Sequence, residues 1–208
     1  MITIKKDHLP IGHKKRCQYL QRPIYITVHS TANPTSTAQN ERAWLTNPNN
    51  KTETGFHYVV DEKEAIECIP PNEVAWHAGD NKGQGNMASI GLEICESGNR
   101  EKTLENAIKL IQHLMKVHKI TKIARHYDWS KKNCPRILNK KGDWSEWNIF
   151  LTKIQQTKIK PIKSEYVKAI EVLIRYNIIT SPGYWKAEEN KNIHALIIKT
   201  ARVLETGL

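Results

Sequence analysis

Residues 24–30, Ile-Tyr-Ile-Thr-Val-His-Ser, are rich in β-branched and aromatic side chains and stop at a turn-forming Ser-Thr-Ala-Asn-Pro. That pattern predicts a strand with His29 at its end. A short helix is expected over residues 36–45. Residues 55–60 and 65–69 read as a hairpin closed by 61–64, and 89–95 as a further strand. Residues 78–86, Ala-Gly-Asp-Asn-Lys-Gly-Gln-Gly-Asn, are turn formers and predict a loop. From Thr103 the apolar residues Leu104, Ala107, Ile108, Ile111, Leu114 and Met115 recur at steps of three and four, the period of an amphipathic helix ending near His118. Residues 120–123 then lead a short strand into Arg125-His126-Tyr127-Asp128-Trp129, and 144–154 form a closing helix.

Strands with interspersed helices predict an α/β or α+β sheet domain over residues 1–156. Residues 157–163 are polar and basic around Pro161 and read as a linker. In 164–208, Val167, Ile170, Leu173 and Ile174 form one apolar stripe, and Ile193, Leu196, Ile197, Ala201 and Leu204 another, with Ser181-Pro-Gly-Tyr-Trp185 turning the chain between them. So small a helical module is expected to dock on the first domain, pair with a second copy or carry a third short helix.

Composition narrows the class. The 208 residues are 39% hydrophobic and 25% charged, which excludes a disordered chain, a collagen-like rod and a disulfide scaffold. Lys and Arg number 32 against 21 Asp and Glu, for a net charge of +11 that favours a polyanionic partner. Nucleic acid, anionic lipid and anionic wall polymer all answer that description. Residues 161–208 carry only +2 of the charge, leaving +9 on 1–160. No nucleic-acid-binding motif is present, so no nucleic-acid partner is expected. Cys17, Cys68, Cys95 and Cys134 form no C-x-x-C pair and read as reduced thiols, Cys68 and Cys95 as small buried hydrophobes. The basic N-terminus is followed by no apolar run of signal-peptide length, and no stretch could span a bilayer, so cytoplasmic synthesis without a transmembrane segment is expected.

His126 and Cys134 lie on one segment with Ser130, Lys131 and Asn133 between them, loop chemistry that can fold both side chains toward one point. With His29 they supply two imidazoles and a thiolate, the kind of set a catalytic zinc uses while a fourth position stays open for water. Spacing alone makes this a weak signal. Glu93 sits in the apolar run Ile90-Gly-Leu-Glu-Ile94, where a carboxylate is costly unless it is hydrogen-bonded or functional. Two readings stand for it, general base and buried ion pair. Lys132, two residues before Cys134, is either an oxyanion-stabilising cation or a solvated loop lysine. His113 and His118 fall on the long helix as solvated or capping residues.

Taken together, Val28-His-Ser-Thr-Ala-Asn33, Gly55-Phe-His-Tyr-Val-Val60, Trp76-His-Ala-Gly-Asp80, Gly85-Asn-Met-Ala-Ser-Ile-Gly-Leu-Glu-Ile-Cys95 and His126-x5-Lys132-x-Cys134-Pro135 resemble the zinc-dependent N-acetylmuramoyl-L-alanine amidases of the amidase-2 type, especially endolysins of phages infecting Gram-positive bacteria. The resemblance covers roughly residues 20–150. It implies a central mixed β-sheet flanked by helices, as in peptidoglycan-recognition proteins, and one Zn2+ held by His29, His126 and Cys134. Glu93 would then be the acid/base and Lys132 the oxyanion-stabilising residue in hydrolysis of the amide between N-acetylmuramic acid and L-alanine of the stem peptide. The implied partners are peptidoglycan and the anionic polymers around it. Trp76 and His77 resemble groove residues that hold substrate. Asn33 either lines that groove or caps the helix that follows. Phe56, counted with the groove, stands where some relatives carry a tyrosine, which passes any water-orienting role to Glu93. His57 should point away from Phe56 and is not assigned to the metal. Residues 178–185 look like helical segments of some clostridial endolysins, implying wall binding, with dimerisation or structural docking also open. A lysin of this kind would wait in the host cytoplasm and act on the wall after release. A host autolysin would share the reaction, whereas a non-catalytic recognition protein would not need Cys134 and Glu93.

Overall fold

The computed structural model describes residues 2–17, 19–156, 162–179 and 191–206, which fall into two compact units, Met1–Ile154 and Gln155–Leu208. The first unit holds six strands: β1 (Ile4–Lys6), β2 (Tyr25–Ser30), β3 (Tyr58–Val60), β4 (Ala65–Glu67), β5 (Ser89–Ile94) and β6 (Lys122–Arg125). They form one mixed sheet in the order β1-β4-β3-β5-β2-β6, in which only the β3–β4 hairpin is antiparallel.

Alternation along the strands divides the sheet into two faces. Ile26, Val28, Tyr58, Val60, Ile90, Leu92 and Ile94 enter the main core with Leu110, Ile111 and Leu114 of α3 (Arg100–His118) and Trp147 and Phe150 of α5 (Ser145–Gln156). The intervening positions of β2 and β5, namely Thr27, His29, Ser89, Gly91 and Glu93, belong to the opposite face. The run around Glu93 is therefore an alternating strand whose second face is polar.

Four elements depart from the expected pattern. The edge strand β1 is only three residues long and carries two lysines, too short and polar for alternation to reveal, and it pairs in parallel with β4. The long helix begins at Arg100 rather than Thr103, because the Asn99 side chain accepts from Lys102 N and caps the preceding turn. Two short helices, α2 (Gln84–Met87) and α4 (His126–Ser130), occupy segments expected to be irregular, while α1 (Ala38–Thr46) falls where a helix was expected. Asp80 fixes the start of α2 by accepting from Gly85 N at 2.7 Å and Asn86 N at 3.1 Å.

The second unit contains α6 (Ile162–Arg175) and α7 (Lys191–Thr206). Ala169, Ile170, Leu173, Ile179, Ile197 and Ala201 form its core, with Ile174 and Leu204 packed beside it. Leu196, placed on the apolar stripe from sequence, faces outward. The α6 helix starts at Ile162, inside the stretch 157–163 expected to be linker. The turn at 181–185 lies outside the described residues. Among the described residues no helix is long and apolar enough to cross a membrane.

His57 ties the hairpin to β5. Its Nδ1 accepts from Gly91 N at 2.8 Å, so the proton resides on Nε2, which donates to Glu73 O at 2.8 Å. Burial pushes this imidazole down to about 4. An ordinary imidazole in the unfolded chain titrates near 6.5, so the unfolded state binds the extra proton first as pH falls. The stabilisation from neutral His57 is therefore complete above about pH 6.5 and lost toward pH 4, by on the order of 3 kcal/mol. Urea midpoints measured across this window should fall with pH, and His57→Gln should flatten the slope. Equal slopes in both proteins would contradict the assignment.

Candidate metal centre

Strand register builds the site. Glu93 of β5 pairs with His29 of β2, and Val28 of β2 pairs with Arg125 of β6, so His126, the next residue, lies level with His29. The result is a row of Glu93, His29 and His126 at the carboxyl ends of three adjacent parallel strands, a common place for a site in sheets of this kind. Cys134 arrives from the segment after α4.

His29 Nδ1 lies 3.0 Å from His126 Nδ1 and 3.9 Å from Cys134 Sγ. One donor atom from each of the three residues falls within 4.8 Å of the others, and all three residues are buried. Ser30 N donates to Cys134 Sγ at 3.4 Å, and Glu93 Oε1 lies 3.9 Å from His29 Nδ1. Glu93 Oε2 is buried without a hydrogen-bond partner.

Burial dominates the electrostatics of the centre. Burial, reinforced by the His77 and His126 rings, holds His29 well below the ordinary imidazole value. Burial, with Lys132 adding to it, brings His126 down to about 4. Burial pushes Glu93 up to about 8 and the Cys134 thiol up to about 12, against the pull of Lys132. Two imidazoles and a thiol beside a carboxyl group are a donor set able to hold a metal ion.

Two adjoining cavities open onto this centre. The smaller, about 150 Å³, is lined by His29, Glu93 and Cys134 among others, and the larger, about 660 Å³, by Trp76, Asn81 and Lys82. Thr54, His77, His126 and Lys132 border both. The structure thus brings together His29, Glu93, His126, Lys132 and Cys134, with Trp76 and His77 on the adjoining wall. It does not bring in the other two groove candidates. Phe56 is buried in a second core cluster with Leu9, Leu45, Val59 and Ile69, where apolar side chains enclose its ring and keep it out of the lining of both cavities. Asn33 Oδ1 accepts from Thr35 N at 3.3 Å and Thr35 Oγ1 at 3.1 Å, and the cap of α1 is Thr37 instead.

Gly91, unremarked in the sequence, supports the site from below. A Cβ there would lie 2.7 Å from two carbons of the His77 ring. Glycine inside a strand signals such a close approach. Gly91→Ala is expected to cost about 1–3 kcal/mol by overpacking. An unchanged denaturant midpoint would show that the His77 ring moves aside freely.

A mixed sheet carrying two imidazoles, a thiol and a buried carboxyl group at its strand ends defines an α/β protein with a cluster able to hold a metal ion. The profile of the Amidase_2 family, described as N-acetylmuramoyl-L-alanine amidase, matches residues 19–137, and the chain belongs to that family. Among curated relatives it is 40% identical over 168 residues to the N-acetylmuramoyl-L-alanine amidase CwlH of Bacillus subtilis (strain 168), covering 77% of this chain and 64% of CwlH. It is 44% identical over 144 residues to XlyA of the same organism, covering 66% of this chain and 48% of XlyA. The chain therefore spans about half to two thirds of the length of these relatives. The solved catalytic domain of XlyA superposes with a TM-score of 0.68 at 41% identity, covering 74% of this chain and 99% of that domain. The structure of PlyL gives 0.66 at 35% identity, with 74% and 97% covered.

Proposed function

We propose that the protein hydrolyses the amide joining the lactyl group of N-acetylmuramic acid to the L-alanine of the peptidoglycan stem peptide. The observation that carries this reading is the convergence of His29, His126 and Cys134 beside the orphaned Glu93 carboxyl in a chain of this family. The donor set suits zinc. Bonds of about 2.0–2.1 Å to nitrogen and 2.3 Å to sulfur at tetrahedral angles separate the donors by roughly 3.3–3.6 Å. The separations of 3.0 and 3.9 Å need only small adjustments to match.

When bound, one zinc ion would supply Lewis acidity toward the amide carbonyl and lower the pKa of a water. The chain's own residues supply the rest. Glu93 takes a proton from the attacking water as the carbon–oxygen bond forms, and returns it to the alanine nitrogen as the carbon–nitrogen bond breaks. The products are a muramic acid carboxylate and a free amino terminus. The Lys132 ammonium, exposed at the mouth shared by both cavities, faces the oxyanion of the tetrahedral stage. Trp76 and the larger cavity receive the glycan and stem peptide.

By the same reading, the +9 charge of residues 1–160 favours the anionic polymers that surround peptidoglycan, and the helical unit adds wall affinity. The test is digestion of purified Gram-positive walls followed by mass spectrometry. New L-alanine amino termini are expected, and release of sugar or peptide fragments without them would overturn the proposal.

A further inference from the structure

The imidazoles of His29 and His126 each have a second nitrogen, and both are turned toward the segment Trp76-His-Ala-Gly79. His29 Nε2 lies 3.0 Å from His77 Nδ1. The Ala78 carbonyl accepts from the His126 ring, whose Nε2 is 3.5 Å from where a Cβ on Gly79 would sit. The segment is itself pinned. Asn86 Oδ1 accepts from His77 N and Ala78 N, both at 2.8 Å, and Asn86 Nδ2 donates to Asn81 O at 2.8 Å. Gly79 has φ +72°, a left-handed conformation that glycine adopts without strain, with Ser130 Cβ only 3.2 Å from its missing Cβ.

The hydrogen bonds around His77 can be assigned in one consistent direction. Trp129 Nε1, which can only donate, gives its proton to Thr27 Oγ1 at 3.0 Å. Thr27 Oγ1 and Ser89 Oγ are 2.8 Å apart, and Ser89 Oγ donates to Gly85 O at 2.6 Å, so Ser89 receives from Thr27. His77 Nε2, 3.5 Å from Ser89 Oγ, must then be the protonated nitrogen, because the Ser89 proton is already committed. His77 Nδ1 is left as a bare acceptor for the Nε2 proton of His29, which in turn leaves His29 Nδ1 free.

We infer that His77, in its Nε2-protonated form and held by Asn86, Ser89 and Gly91, is a positioning residue that fixes the ring orientation and tautomer of His29 so that Nδ1 faces the metal site. The inference rests on His29 being a ligand and deepens the reading above by giving His77 a role toward the metal rather than toward substrate. A ligating histidine generally hands its second N–H to a fixed acceptor, and loss of that acceptor typically weakens metal binding by 10- to 100-fold.

The test is zinc affinity, measured by competition with a chromophoric chelator on the full chain and read beside kcat and KM on wall fragments. His77→Leu removes the acceptor while keeping a side chain of similar bulk, and His77→Asn restores an acceptor near the position of Nδ1. Zinc affinity is expected to fall roughly 10- to 100-fold in His77→Leu and to stay within about threefold of wild type in His77→Asn. The activity of His77→Leu should return toward wild type at saturating zinc. Unchanged zinc affinity with a raised KM would overturn the inference and make His77 a substrate-groove residue. Equal loss of zinc in both variants would overturn it as well. The imidazole ¹⁵N spectrum of the zinc-loaded wild type needs no variant to fold: His77 should carry its proton on Nε2, and an Nδ1-protonated or doubly protonated ring would exclude the acceptor role. Because affinity and tautomer are read without substrate, a failure of the amidase reading would leave these results intact, whereas absence of zinc binding by the wild type would refute both.

Discussion

Replacing Glu93 with glutamine should lower amide hydrolysis by roughly 10²- to 10⁴-fold, the usual worth of a positioned general acid–base group, while zinc content and fold are retained. Glutamine has nearly the same shape and leaves β5 and its pairing with His29 undisturbed. What it lacks is the ability to take a proton from water and return it to the alanine nitrogen. Metal analysis of the purified variant beside single-turnover hydrolysis of wall fragments separates the possible outcomes. If activity falls in proportion to zinc, Glu93 acts by holding the metal. If it falls at full zinc occupancy, the proton-transfer role stands. Retention of wild-type turnover would remove Glu93 from the mechanism.

Cys134→Ala should abolish hydrolysis to background and release the metal, because the centre then keeps only two imidazoles. Chelation of the wild type should have the same effect on activity and be reversed by added zinc, whereas the variant should not recover. Stability provides a second readout. A ligand that binds only the folded state at 100 times its Kd contributes about 2.7 kcal/mol. For a unit of about 150 residues this corresponds to roughly 5–10 °C of melting temperature. The wild type should lose that increment on chelation, and Cys134→Ala should show none to lose. The cavity left by the thiol is small and its loss shifts the baseline of both states alike, so the zinc-dependent difference is the quantity to compare. A wild type whose activity and melting temperature ignore chelator would exclude a metal centre.

Much of this site could be read from residue types before any geometry was known. Glu93 drew attention because a carboxylate is expensive in an apolar run, and the orphaned Oε2 shows that this cost is present. The alternation of β2 and β5 and the three-and-four spacing of α3 set the core face directly. His77 was noticed only as a neighbour of Trp76 in the family motif. Its contact with His29 joins residues 48 apart, and no local pattern encodes it. Phe56 is counted with the groove only from its place in the family motif, and its burial against Leu9, Leu45 and Ile69 likewise joins residues distant in sequence.

The sequence by itself determined the class of sheet domain, the residue types a metal centre needs and the family, because periodicity and motif chemistry are local properties. That the three candidate ligands meet is decided by the tertiary fold alone. His29 meets His126 across 97 positions and Cys134 across 105, and that meeting follows from the parallel register of β5, β2 and β6, which places Glu93, His29 and His126 side by side. Such pairing is non-local, and the spacing of a histidine and a cysteine along the chain carries no information about the register that joins them.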